Sequence, residues 1–272
     1  MRRLALLVVV LSLTGCGKTE GQSHARTVVA AFYPLAWAAG EIGEGGIEVV
    51  NLTPAGAEPH DIELSPRDAE VIRDADLVVY AGGGFQPAVE DAVADRDGPS
   101  LDVLGGDRDP HLWLDPVRFA AVVREIGKAI AQPVAAEDLA TKLARLDESY
   151  RRGLRDCARR TLVTTHAAFG RLSARYGLQQ LSLAGSSPEA EPGPRELERL
   201  VEDVRASGAK TVFAEPLVSD RLAATVAREA DLDVAVLDPL EGLSEDRLEA
   251  GEDYLSVMRD NLASLRKALG CR

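Results

Sequence analysis

The amino-acid sequence predicts an α/β protein of two αβ lobes, each built on a mainly parallel sheet, joined by a long rigid helix. Three observations predict it. Short β-branched runs alternate with helical segments along the body of the chain. Several of those runs are continuously apolar instead of alternating, which suits strands buried on both faces of a parallel sheet. One amphipathic segment, longer than its neighbours, falls between two αβ halves.

The chain opens Met1-Arg2-Arg3, continues through the apolar stretch Leu4–Leu13 and reaches Leu13-Thr14-Gly15-Cys16. Basic residues, a short apolar run and small residues before a cleavage point describe a secretory leader over residues 1–15, too short to span a bilayer. The Leu-Thr-Gly-Cys ending resembles the lipobox of bacterial lipoproteins, which implies a lipidated Cys16. The small residues before it and the polar stretch after it favour this over an ordinary leader with a chance cysteine. Residues 16–26 then read as a structureless tether.

The first lobe, residues 27–137, holds candidate strands at Thr27–Phe32, Ile47–Leu52 and Leu77–Ala81. Ser65-Pro66 opens a helix with an N-cap and a proline at its first position, and Asp115-Pro116 repeats the device. The connecting helix, residues 138–157, carries Leu139, Leu143, Leu146, Tyr150 and Leu154 at spacings of three and four, one apolar stripe. The second lobe, residues 158–272, holds strands at Thr161–Thr165, Gln179–Leu183, Thr211–Ala214 and Val234–Leu237. The spacing of Phe169, Leu172 and Tyr176 marks a helical face closed by Gly177, and Ser244 opens a last helix ending before Gly270.

A chain of 272 residues is too long for one small core and suits one large or two modest domains. Its formal charge of −13 repels nucleic acid and mildly favours cations. With Cys16 given to lipid, Cys157 and Cys271 remain as one pair, expected as a disulfide in an oxidising compartment. The alternative is two unpaired buried thiols.

The sequence holds four histidines: His24 in the tether, His60, His111 and His166. His60 lies in the loop Thr53–Asp61 after a strand, His111 in the proline-stiffened Asp109–Pro116 segment, and His166 directly after Thr161–Thr165. Asp238 likewise ends a strand, just before Pro239. Ligands of parallel αβ sheets bind beyond the carboxyl ends of the strands, and histidine is the commonest metal ligand. Any one of these histidines alone reads as a surface or hydrogen-bonded residue. Their shared placement, with no HExxH motif present, points to ligands converging from distant segments.

The segments Gly56-Ala57-Glu58-Pro59-His60-Asp61-Ile62-Glu63, Ala75–Tyr80, Asp109-Pro110-His111-Leu112-Trp113-Leu114-Asp115-Pro116, Thr164–Gly170, Tyr176-Gly177-Leu178, Phe213-Ala214-Glu215-Pro216, Leu237-Asp238-Pro239-Leu240 and Tyr254–Met258 occur in an order that resembles the metal-binding solute receptors of ABC importers, the zinc and manganese group. The resemblance covers almost all of the chain after the leader. It implies a metal site between the lobes, with His60 and His111 from the first, His166 and Asp238 from the second, and Glu58 and Glu215 in reserve. Glu215 reads as an outer or structural acceptor. Members favouring manganese carry a carboxylate where His166 stands, so zinc is the expected ligand and manganese the alternative. The short Gly105–Arg108 segment lacks the His-rich loop that some zinc members insert.

The implied function is an extracytoplasmic receptor, lipid-anchored and monomeric, that hands zinc to an ABC permease with its ATPase. It is not an enzyme. The competing readings are a zinc hydrolase, with Glu58 as base beside an open water position, and a metal-binding surface adhesin.

Overall fold

Both halves of the chain build the same sheet. In the computed structural model, which describes residues 26–107, 109–185 and 192–272, the first lobe begins β1 (Arg26–Ala30), α1 (Tyr33–Gly43), β2 (Ile47–Asn51) and α2 (Pro66–Asp74). It continues β3 (Leu77–Tyr80), α3 (Pro87–Ala94), β4 (Ser100–Asp102), a 3-10 turn at Leu112–Leu114 and α4 (Pro116–Ala129). The long helix α5 (Pro133–Gly153) leads to β5 (Thr161–Thr164), a 3-10 turn at Ala167–Phe169, α6 (Gly170–Arg175) and β6 (Gln179–Ser182). Then come α7 (Pro194–Ala206), β7 (Thr211–Ala214), α8 (Arg221–Ala230), β8 (Asp233–Val236), α9 (Glu245–Glu249) and α10 (Tyr254–Leu269). The expected leader, Cys16 and tether residues 16–25 lie outside the described residues. Among the described residues no helix is long and apolar enough to cross a membrane.

The strand orders are β2-β1-β3-β4 and β6-β5-β7-β8, and every pairing is parallel. One strand had no visible signal in the sequence. β4 is a Ser-Leu-Asp edge of the first sheet, too short for periodicity, and it is held where Val78 N–H donates to Pro99 O and Val103 N–H to Tyr80 O. Short edge strands are a common way to end a sheet.

The helix ends follow their capping residues. Ser65 accepts from Asp68 N–H while Ser65 N–H donates to the Asp68 carboxylate, closing a capping box at Pro66. Asp115 accepts from Val117 and Arg118 N–H at the start of α4. The connecting helix differs from the expected 138–157. Pro133 at its first turn starts it earlier, and Ala136 packs against Gly127 of α4, where there is no side chain to block it. The helix expected from Ser244 is two. Gly251, at φ +79°, breaks the chain, and Asp253 re-caps it by accepting from Ser256 N–H at 2.6 Å.

One hydrophobic core runs through both lobes. Leu139, Leu143, Leu146, Tyr150 and Leu154 of α5 are buried in it, together with Phe32, Trp113 and Phe119 from the first lobe and Phe169, Phe213, Leu237 and Met258 from the second. A smaller core holding Val163, Val204, Val212 and Val226 closes the second lobe around β5, β7, α7 and α8. Helix α10 ties the lobes. The Tyr254 ring lies 4.8 Å from Trp37 of α1 and 4.9 Å from Phe119 of α4, and its hydroxyl donates to Trp113 O. Tyr150 of α5 donates to Met258 O at 2.6 Å. The crossing is tight at Gly153, where an added Cβ would lie 3.1 Å from Leu262 Cδ1.

Cys157, just past α5, is disulfide-bonded to Cys271, at a sequence separation of 114 residues. A closure of that span stabilises chiefly by restricting the unfolded chain. Free-thiol labelling of unfolded, unreduced protein should find neither cysteine reactive. Cys271→Ser should lower the unfolding free energy by about 2–4 kcal/mol in denaturant titration.

Candidate metal centre

In each sheet the order reverses beside the first strand, between β1 and β3 and between β5 and β7. Such reversals open crevices at the carboxyl ends of strands, and the residues that follow those ends meet between the lobes. His60 comes from the loop after β2 and His111 from the segment after β4. His166 comes two residues past β5, and Glu241 comes from the loop after β8. Their ligand-type atoms all lie within 4.8 Å of one another.

One carboxylate oxygen sits at the centre. Glu241 Oε1 is 3.1 Å from His60 Nε2, 3.0 Å from His111 Nε2 and 3.4 Å from His166 Nε2. Zinc bonds of 2.0–2.1 Å place the corners of a tetrahedron about 3.3 Å apart, so these separations are close to the three edges that meet at one corner of a four-coordinate shell. His166 Nε2 and Glu241 Oε2 are buried without a hydrogen-bond partner among the described residues. Buried polar atoms are rarely left so unless something else satisfies them.

Each imidazole is aimed by a second contact. His111 Nδ1 lies 2.9 Å from Asp109 Oδ1, which also accepts from the His111 backbone N–H. His166 Nδ1 lies 2.6 Å from Glu215 Oε2, while the other Glu215 oxygen accepts from His166 N–H and the Thr165 hydroxyl. The His60 ring packs edge-on against Phe85, with centroids 4.6 Å apart, and its backbone N–H donates to Glu58. Carboxylates behind ligating histidines fix the tautomer and leave the far nitrogen free.

These contacts set the charges of the metal-free cluster. Burial alone would lower the His166 pKa, but the Glu215 and Glu241 carboxylates outweigh it and raise it to about 10. His111 is raised against the same opposing burial by Asp109 and Glu241. Burial also works to raise Glu241, yet its contacts with His111, His166 and His60 hold it well below the ordinary range. Glu58 is pushed up to about 8, by burial first and then by the Glu241 charge. Protons on His166 and His111 therefore balance the buried carboxylates where a cation would.

The structure brings His60, His111 and His166 together and leaves Asp238 out. Asp238 Oδ1 accepts from Leu240 N–H at 2.7 Å, and Oδ2 is paired with Arg247 Nη1 at 2.6 Å. Its backbone is held by Asn261 on both sides, through Asp238 N–H and Asp238 O. With both oxygens engaged locally, Asp238 shapes the loop, and Glu241, three residues on, reaches the cluster. The sequence pointed to Asp238 in this loop, whereas the structure brings Glu241 of the same loop to the histidines. Of the two reserve residues, Glu215 stands behind His166, and Glu58 Oε1 stays 3.9 Å from His60 Nε2.

A family model described as the zinc-uptake complex component A, periplasmic (ZnuA), matches residues 28–268. The chain belongs to this family. The zinc-binding protein AdcA of Streptococcus pyogenes serotype M1 is 36% identical, over 88% of this chain and 55% of its own length. The chain thus spans about half the length of such relatives. The laminin binding protein of Streptococcus agalactiae, a bifunctional protein with adhesin and metal transporting activity, superposes with a TM-score of 0.82 at 30% identity, covering 90% of this chain and 99% of its own. The Zn(II)-bound ZnuA-like domain of Streptococcus pneumoniae AdcA gives 0.77 at 32% identity, with coverage of 90% and 99%.

For a ZnuA-family chain free of metal, the raised His166 pKa makes a pH prediction. A histidine whose pKa is higher folded than unfolded adds stability that is complete below about pH 6.5 and lost as pH rises through its folded value. The thermal stability of metal-free protein should therefore fall between pH 7 and about pH 10. In Glu215→Gln, which removes the leading carboxylate partner, that alkaline loss should be smaller.

Proposed function

We propose that this chain is an extracytoplasmic receptor that binds zinc as cargo at His60, His111, His166 and Glu241 and delivers it to an ABC permease. The supporting observation is the convergence of the three Nε2 atoms on Glu241 Oε1 at tetrahedral-edge distances. Three imidazoles and one carboxylate form a borderline-soft, nitrogen-rich set that suits zinc, whereas manganese favours oxygen-rich shells of higher coordination number. Four protein donors close the shell, as in a holding site. A catalytic zinc keeps a position for water, so the hydrolase reading is the weaker one. In this proposal Cys16 carries the lipid that holds the receptor at the membrane, and the tether lets the lobes stand clear of it.

Zinc must displace protons from the raised histidines to bind. Calorimetry at pH 7 in buffers of different ionisation enthalpy should show net proton release. Affinity should climb above the usual histidine range near ~6.5, toward the His166 value of about 10. Glu241→Ala should weaken zinc binding by more than about 100-fold, since even outer partners of a metal ligand are worth 10–100-fold. His166→Asp should erode the preference for zinc over manganese. Parent-like zinc affinity in both Glu241→Ala and His166→Ala would remove the proposed site.

A further inference from the structure

Helix α6 begins four residues after His166, and it does more than continue the chain. Arg171, on its first turn, is nearly buried and reaches across to the first lobe. Its Nε and Nη2 both donate to Asp109 O, Nε lies 3.4 Å from Asp109 Oδ2, and Nη2 lies 2.8 Å from Asp107 Oδ2. The other oxygen of the same Asp109 carboxylate faces His111 Nδ1 at 2.9 Å. Arg171, Asp109, His111 and the Glu241 oxygen thus form one continuous chain of contacts from the second lobe, through the first, to the centre of the cluster.

From this geometry we propose that Arg171 is a positioning residue for the metal site, holding the Asp109 carboxylate so that His111 presents Nε2 inward, and so slowing metal release. The proposal rests on the zinc reading above. A carboxylate on Nδ1 keeps the proton on that nitrogen and the Nε2 lone pair free for the metal. The planar guanidinium grips backbone carbonyl and carboxylate of one residue at once, which fixes the direction as well as the place of Asp109. Because His166 and Arg171 belong to one short segment, a shift of that segment away from the first lobe withdraws His166 and loosens His111 together. Release would then be a single event instead of two independent losses.

Arg175, one turn further along α6, is the internal control. It joins Asp147 of α5 at 2.7 Å and Asp115 at 3.2 Å, so it also latches the second lobe to the first, but neither carboxylate contacts His111. Removing it loosens the latch and leaves the Asp109–His111 contact in place.

The test compares zinc dissociation into excess chelator, zinc affinity, and the visible absorption of the Co(II)-loaded protein, for the parent, Arg171→Ala, Arg171→Lys, Asp109→Asn, Arg171→Ala/Asp109→Asn and Arg175→Ala. Arg171→Ala should speed zinc release about tenfold, the lower end of what outer partners supply, and alter the Co(II) spectrum. Arg171→Lys, which keeps the charge and the fold, should fall between. The double variant should release zinc no faster than Asp109→Asn alone, because the two act through one contact. Parent-like release and spectrum in both Arg171 variants would overturn the proposal. So would equal acceleration by Arg175→Ala, which would mean that general loosening of the lobes is responsible. Failure of the parent itself to bind zinc or Co(II) would instead overturn the zinc reading.

Discussion

Glu241 is 1% exposed, and a buried carboxylate is costly unless it is paired. Here the pairing comes from three imidazoles that belong to two lobes, so the charge is satisfied only while the lobes stay together. Without metal, protons on His166 and His111, whose pKa values are raised, supply the positive charge. In the proposed function, a divalent cation at the same point would replace those protons and meet all four donors. On that reading, metal and protons compete for the same donors, and the competition belongs to the chain's fold, since it needs Glu215, Asp109 and the lobe contact as well.

The fold supplies a frame stiff enough to keep that geometry. The two lobes share one core along α5 instead of hanging from a loop, and α10 crosses α5 closely at Gly153. Trp113 connects this frame to the site. Its ring lies 5.3 Å from His111, its Nε1 donates to Pro239 O in the Glu241 loop, and its carbonyl accepts from Tyr254. One buried residue therefore sets His111 of the first lobe and a second-lobe loop against the same rigid surface. Hinges need residues that absorb backbone change. The packed interior of α5 offers few, so movement that frees metal falls more naturally on the loops and on α6 than on the connecting helix.

The fold was legible in the sequence because its main signals are local. Apolar runs, capping serines and aspartates, and the five-residue stripe on α5 each report their own neighbourhood. β4 was not legible because only its pairing with β3 makes Ser100–Asp102 a strand. The break between α9 and α10 was written at Gly251 and Asp253, but continuous apolar spacing on either side masked it. Three residues of the cluster were legible for a different reason. Histidine is scarce here, and His60, His111 and His166 each follow a strand or sit in a stiff loop. Carboxylates are abundant, with 44 Asp and Glu residues, so no such argument separates Asp238 from Glu241.

What separates them is backbone geometry that no composition reveals. Leu240, between the two, has a positive φ of +57° and is fully buried. The left-handed region costs a residue with a Cβ roughly 1–2 kcal/mol, and strain of this kind persists only where surroundings impose it. The surroundings are Asp238, whose carboxylate takes Leu240 N–H, and Asn261, which brackets Asp238 from α10. Arg247 neutralises the remaining oxygen from α9. The turn so held reverses the chain after Pro239 and directs the next residue, Glu241, back toward the histidines. Asp238 thus stands at the end of its strand without facing the histidine cluster. A residue placed where ligands usually stand spends both oxygens on the turn that carries Glu241 to the histidines.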